Sequence, residues 1–123
     1  MPFSLTNKTK NAQTRISFKR FKNIVLGEKY DLNVVLSREK LMQELHKHWL
    51  KKESATTILS FPLTVNSGEI FLCPAHIKKE AKKYNLDYKL YLKKIYVHGL
   101  LHLKGMKHSK KMEQEENKIL KII

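Results

Sequence analysis

The chain has 123 residues, 41% of them apolar, and carries a formal net charge of +14 from 25 Lys and Arg against 11 Asp and Glu. A chain of this length supports one domain, residues 1–123, with a modest core. No run approaches the roughly 18 apolar residues that span a bilayer, and the N-terminal segment lacks the apolar stretch of a signal peptide. These features exclude a transmembrane protein and predict a cytoplasmic one.

The positive charge indicates which partners the protein binds, and the single cysteine indicates the redox state of its compartment. A positive field of this strength attracts polyanions, with nucleic acid or an anionic membrane surface as the obvious partners. The alternative is that the lysines only cover solvent-exposed faces and bind no partner. Cys73 has no second cysteine to pair with, so no intramolecular disulfide forms, and a reducing compartment is expected. We interpret Cys73 as a small apolar residue of a buried strand.

The predicted elements alternate between strands and helices and then become helical only. In chain order the segments are a strand at 3–8, a helix within 15–30 that ends at Gly27, a strand at 30–37, a helix at 38–52, strands at 55–63 and 68–74, and helices at 75–85, 88–105 and 110–123. In the second helix we expect Leu41, Leu45 and either His48 or Trp49 to point inward. Pro62 is expected to end the third strand, and Gly68 to lie in the turn before the fourth. This order predicts an α+β fold in which helices pack on a mixed four-stranded sheet.

The helix at 88–105 is the most apolar segment of the chain. Few of its positions are polar, and its large apolar residues include Leu90, Ile95, Val97, Leu100, Leu101 and Leu103. A helix that is apolar on most sides is buried. The sequence therefore predicts a central buried helix, in which each imidazole must be satisfied by a partner.

Three histidines in "VHGLLHLKGMKHSKK" (97–111) are spaced as H-x3-H-x5-H. His98 and His102 differ by about 40° of rotation and roughly 6 Å of rise on a helix, so both rings lie on one face and can share an ion. Gly105 allows the chain to turn back, which brings His108 opposite the pair. Three imidazoles leave a fourth position open for water, which is typical of a catalytic zinc site. We therefore predict that His98, His102 and His108 bind a metal with a catalytic water, rather than being three satisfied core histidines.

The spacing equals that of the metzincin proteases, H-E-x-x-H-x-x-G-x-x-H. Position 99, however, is Gly99 and not the Glu that acts as general base in amide hydrolysis. A metalloprotease is therefore the least favoured of the alternatives.

The segment "HGLLHLKGMKH" (98–108) closely resembles the signature of the YbeY-type endoribonucleases, H-G-x-L-H-L-x-G-[aromatic]-D-H. The resemblance extends to "ATTILSFPL" and "GEIFLCP", which are similar to two strands of that family, and to "MEQEENKIL", which is similar to its last helix. The resemblance implies a single-metal endoribonuclease, usually with zinc, that acts on precursor 16S ribosomal RNA in 3′-end maturation and in ribosome quality control. Three imidazoles also suit nickel or another divalent ion.

Two positions depart from the family pattern. Leu50 stands where the family usually has an arginine, and Lys51 and Lys52, immediately after it, are the candidates to contact the RNA phosphates in its place. Lys107 replaces the aspartate before the third histidine, which places a like charge near the ion. These departures favour, as the alternative to an enzyme, an RNA- or ribosome-binding factor that keeps the metal structurally.

The remaining chemically suggestive residues have simpler interpretations. His46 and His48 diverge by about 200° on a helix and read as surface residues. His76 and Cys73 lack further partners for a metal. Aromatic residues on helices, here Trp49 and Tyr96, are more often core than base-stacking. The acidic run Glu113, Glu115 and Glu116 is expected to be a solvated helix face.

Overall fold

The structure is a computed structural model that describes residues 2–9, 16–50, 57–107 and 109–122; of residues 46 and 48–50 it describes the backbone alone. The element order βαβαββααα is the predicted one. The elements are β1 (Phe3–Asn7), α1 (Phe18–Leu26), β2 (Asp31–Leu36), α2 (Glu39–Leu50), β3 (Ile58–Thr64), β4 (Ser67–Leu72), α3 (Pro74–Lys83), α4 (Tyr88–Leu103) and α5 (Lys110–Ile122). The predicted α+β class with a mixed four-stranded sheet is confirmed.

The sheet has the strand order β1-β2-β4-β3. Strand β2 is parallel to both β1 and β4, whereas β3 is antiparallel to β4. Strands β3 and β4 are consecutive in the chain and form an antiparallel hairpin at one end of the strand order. Within the described residues, β1 and β3 are the two edge strands.

Two residues that were expected at strand ends lie inside strands instead. Pro62 lies within β3 and pairs with Gly68 of β4. Proline has no backbone N–H to donate, and an edge strand such as β3 tolerates that loss. Gly68 is part of β4 and not of the turn before it. A Cβ at Gly68 would lie 2.5 Å from the hydroxyl oxygen of Tyr30 and 3.1 Å from Leu103 Cδ2. Close packing by these two side chains is therefore the reason for a glycine here.

The sheet separates two hydrophobic clusters. The larger lies between the sheet and helices α1, α3, α4 and α5, and its strand residues are Leu32, Val34, Leu36, Ile70 and Leu72. The smaller is formed by Met42 of α2 with Leu59 and Cys73. Met42 is fully buried, whereas Leu41 and Leu45 are half-buried. Leu45 packs against this cluster, as predicted, but the fully buried residue of α2 is Met42, which the sequence did not indicate, because α2 is rotated slightly toward it. The side chains of His48 and Trp49, the other predicted inward residues, lie outside the described part of the chain.

Helix α4 is the central element, since it contacts α1, α3, α5, β3 and β4. Burial on several sides explains why its sequence shows little amphipathicity. Tyr96 is fully buried, as expected, and its hydroxyl donates to the Phe18 carbonyl oxygen over 2.8 Å. Leu90 is the exception to the predicted burial, being 65% exposed in the first turn. That turn begins at Asp87, whose carboxylate accepts from the Leu90 backbone N–H over 3.0 Å.

Among the described residues, no helix is both long and apolar enough to cross a membrane. Cys73 is buried directly after β4, and this burial raises the pKa of its thiol. The expected burial of Cys73 is confirmed, but the residue lies between β4 and α3 and not within the strand.

Candidate metal centre

His98 and His102 lie on one face of α4, as their spacing predicts. Their Nε2 atoms are 3.0 Å apart, and the two rings meet nearly at right angles, with centroids 4.6 Å apart. Two imidazole nitrogens that share a tetrahedral zinc ion, with bonds of about 2.0 to 2.1 Å, are separated by about 3.3 to 3.4 Å. The observed separation is within a few tenths of an ångström of that value. The pair is therefore arranged as two ligands of one ion would be.

A buried carboxylate fixes the orientation of the first histidine. Glu116 of α5 is only 5% exposed, and its Oε2 lies 3.2 Å from Nδ1 of His98. An ionised carboxylate can only accept, so this contact assigns the ring proton to Nδ1 and leaves Nε2 with its lone pair. A histidine held by a carboxylate in this way is the usual arrangement behind a metal-ligating nitrogen.

Glu116 corrects the expectation that the acidic run is a solvated face. Glu113 is exposed, Glu115 is half-buried and Glu116 is buried. The buried residues of α5 are Met112, Glu116 and Ile119, which recur at helical spacing and face α4. That periodicity is the signal in the sequence by which Glu116 could have been found.

The chain reverses after α4 at the predicted glycine. Gly105 has a φ of +102°, and its N–H donates to the His102 carbonyl, while the Met106 N–H donates to that of Leu101. These two bonds form a Schellman motif, which requires a left-handed residue and so favours glycine. Lys107, which follows the turn, is exposed.

The third predicted ligand, His108, lies outside the described residues. Within the described ranges, no group of three His, Cys, Asp or Glu side chains that could hold a metal ion is found. The metal set of His98, His102 and His108 therefore stays a prediction, of which the structure describes two members and the carboxylate behind one of them.

Gly99, between the two histidines, faces the sheet. A Cβ at this position would lie 2.5 Å from Ile58 Cδ1 and 3.0 Å from Ser60 Oγ. A side chain as large as glutamate would therefore collide with β3 at this position. The geometry supports the sequence argument against a metalloprotease, since position 99 cannot hold the general base.

A cavity of about 540 Å³ opens beside His98. It lies between α4 and α5, and the start of β3 closes it on a third side; its lining includes Thr57, Ile58, Tyr91, Lys94, Ile95, His98, Met112 and Glu113. A volume of this size is in the usual range for small-molecule sites. His98, one of the candidate metal ligands, therefore borders a space that a substrate can enter.

The other candidate residues do not join this site. His76 pairs with Glu80 on its own helix, Nε2 to Oε2 at 3.2 Å. The candidate RNA contacts Lys51 and Lys52 lie outside the described residues, and so do the side chains of His46, His48, Trp49 and Leu50.

Comparison with known proteins places the chain in a family. The family model described as Endoribonuclease YbeY matches residues 4–123. The chain belongs to the Endoribonuclease YbeY family. The resemblance found in the sequence is thereby confirmed, and the chain is a member of a family of RNA-hydrolysing enzymes.

Individual relatives give the same result. The chain is 33% identical to the Endoribonuclease YbeY of Buchnera aphidicola over 126 residues, which cover 90% of this chain and 81% of the relative. It is 30% identical to that of Ureaplasma urealyticum over 135 residues, covering 98% and 85%. For that of Thermotoga maritima the identity is 32% over 95 residues, 71% of this chain but only 63% of the relative, which is less than two thirds of its length.

The fold also matches a solved structure. The solution structure of a Thermotoga maritima protein superposes with a TM-score of 0.70 and 25% identity, covering 96% of this chain and 86% of that chain. The arrangement of helices on a mixed sheet is therefore that of a known protein.

Proposed function

We propose that this protein is a metal-dependent endoribonuclease that hydrolyses phosphodiester bonds of single-stranded RNA. The observation that carries the proposal is the pair of Nε2 atoms of His98 and His102, 3.0 Å apart, with Glu116 behind His98 and a cavity beside it. Membership of the Endoribonuclease YbeY family supports RNA as the substrate.

The chain's own residues have separable tasks in this reaction. His98 and His102, with His108 as the proposed third ligand, would hold one divalent ion, and Glu116 keeps the His98 ring in the tautomer that offers Nε2. When bound, such an ion stabilises the charge that develops at the phosphate and lowers the pKa of water. Gly105 reverses the chain after α4, so that residues following the turn return toward the pair. Lys51 and Lys52 remain the proposed contacts to the RNA backbone.

The proposed biological substrate is precursor 16S ribosomal RNA, with roles in 3′-end maturation and ribosome quality control in the cytoplasm. The net charge of +14 supports a polyanionic partner, because a positive surface raises both encounter rate and affinity for nucleic acid. The lone buried Cys73 is in keeping with a reducing compartment.

Zinc is the proposed ion. Histidine nitrogens suit zinc, nickel and copper alike, so ligand type alone does not select among them. Metal analysis of protein purified from its native cells, without added metal, identifies the ion: a stoichiometric content of one zinc per chain is expected.

The test is cleavage of a labelled single-stranded fragment of ribosomal RNA by the purified protein, beside His102→Ala. We expect the wild type to cut, and the variant to lose both its metal and cleavage while keeping its circular dichroism spectrum. A matched control is His76→Ala, because His76 pairs with Glu80 on α3, apart from the α4 site. Equal cleavage by wild type and His102→Ala would refute the proposal.

The second candidate function is an RNA-binding factor with a structural metal, and Lys107 favours it. This exposed cation stands directly before His108, where a positive charge opposes a bound cation. The same experiment separates the two functions, since a binding factor retains metal and binds the RNA but cuts nothing in either form. Lys107→Asp should then restore cleavage if the cation is what suppresses it.

A further inference from the structure

One wall of the cavity beside His98 is a single face of α4. Tyr91, Lys94 and His98 all line this cavity. They are spaced three and four residues apart, so their side chains follow one another along the same side of the helix. We call the space between this face and Glu113 of α5 the α4–α5 groove.

Lys94 supplies the positive charge of the groove. Its side chain is exposed, and within the described part of the chain it forms no ion pair or side-chain hydrogen bond. It precedes His98 by four residues, a rise of about 6 Å along the helix. This offset is similar to the distance between neighbouring phosphates of an extended strand. A phosphate next to the one at the histidine pair would therefore lie within reach of Lys94.

Tyr91 supplies an aromatic surface one turn further along. Its hydroxyl donates to Glu80 Oε1 over 2.6 Å, which anchors the ring between α3 and α4. Burial and this hydrogen bond raise the pKa of Tyr91 to about 12, so the side chain is neutral at physiological pH. A neutral, anchored ring is a platform on which an unpaired base can stack.

The opposite wall determines how a nucleotide would be oriented. Glu113 and Glu116 of α5 both line the groove; Glu113 is exposed, whereas Glu116 is buried and its carboxylate contacts His98. The negative charge of Glu113 disfavours a phosphate on the α5 side, and Lys94 favours one on the α4 side. The two walls therefore place the RNA backbone along α4.

We infer that the α4–α5 groove binds the nucleotide next to the cleaved bond of single-stranded RNA, with Lys94 at its phosphate and Tyr91 at its base. This inference rests on the proposed function and specifies how its substrate is held. A duplex does not satisfy the groove, because its bases already stack on each other and do not offer a free face to Tyr91.

The experiment measures binding and cleavage separately with the metal-loaded protein. Binding is followed by fluorescence anisotropy with a labelled single-stranded 2′-O-methyl RNA of about 12 nucleotides, which keeps the bases and phosphates but resists nucleases. Cleavage is followed with the matching unmodified RNA. The variants are Lys94→Gln and Tyr91→Leu, with Lys89→Gln as control, since Lys89 is an exposed lysine nine residues before His98 and so on the opposite side of α4.

Lys94→Gln should weaken binding and raise KM at least five-fold with metal content and kcat unchanged. It should also reduce the slope of log Kd against log salt by about 0.7, the value for one lost phosphate contact on a single strand. Tyr91→Leu should weaken binding at least five-fold, and Tyr91→Phe, which keeps the ring but loses the hydrogen bond to Glu80, should weaken it less than Tyr91→Leu does. Glu113→Gln should strengthen binding.

A wrong assignment of the groove and a wrong proposed function would give different results. If the wild type cuts RNA while Lys94→Gln and Lys89→Gln bind it equally well and with the same salt slope, the groove assignment is wrong and the function stands. If the wild type cuts nothing yet Lys94→Gln and Tyr91→Leu lose affinity, the groove stands as an RNA site and the enzymatic proposal fails.

Discussion

The carboxylate of Glu116 is the feature of the site whose removal gives the clearest quantitative expectation. Glu116→Gln keeps the size of the side chain and an acceptor oxygen for His98 Nδ1, but removes the charge. Charge-assisted hydrogen bonds are roughly twice as strong as neutral ones. Partners behind a metal-ligating histidine are worth about 10- to 100-fold in metal affinity. That range corresponds to about 1.4 to 2.8 kcal/mol of binding free energy.

The observed geometry locates the variants within this range. The contact of 3.2 Å is at the long end for an N–H···O bond, so the conservative Gln variant should lose about ten-fold in zinc affinity. Glu116→Ala also leaves Nδ1 of the half-buried His98 without this acceptor, and should lose closer to 100-fold.

The assay is competition for zinc against a chromophoric chelator, with thermal unfolding recorded in parallel to show that the variants fold. Glu115→Gln, a substitution of the neighbouring half-buried carboxylate, is the matched control and should bind zinc as the wild type does. Equal zinc affinity of the wild type and both Glu116 variants would refute the argument that this carboxylate orients a ligand.

Three further predictions concern packing and ionisation. Gly99→Val should lower the free energy of unfolding by about 2 to 3 kcal/mol, because a Cβ there would lie 2.5 Å from Ile58 Cδ1; an unchanged urea midpoint would contradict this. The thiol of Cys73 is buried, and that burial raises its pKa. It should therefore react with a disulfide reagent at pH 8 only after the protein unfolds. Rapid labelling of the native protein would contradict the burial of Cys73. The folded state holds the Tyr91 proton more tightly, with a pKa of about 12 against about 10 when unfolded, so stability should be fully present below pH 10 and decrease between pH 10 and 12. Tyr91→Phe should make that decrease smaller, and an identical alkaline profile in the variant would exclude the contribution.

The element order and one half of the site could be predicted because they depend on local periodicity. The pairing of His98 with His102 follows from 3.6 residues per turn, and the turn at Gly105 from the conformational freedom of glycine. Both are properties of a few consecutive residues, and the structure agrees with both.

The contributions from distant segments could not be predicted in the same way. The contact between Glu116 and His98 depends on how α5 packs across α4. The composition of the acidic run does not reveal that packing. The place of Gly68 inside β4 depends on the Tyr30 hydroxyl, which comes from the loop before β2. The burial of Met42 rather than Leu41 depends on a small rotation of α2 against the sheet.

The most direct test of the central claim is the dependence of RNA cleavage on bound metal. The protein is stripped with a chelator and dialysed, and cleavage of single-stranded ribosomal RNA is then measured as zinc is added back. We expect no cleavage by the stripped protein, recovery that saturates at one ion per chain, and no recovery in His102→Ala. Full cleavage by the metal-free protein would contradict that expectation.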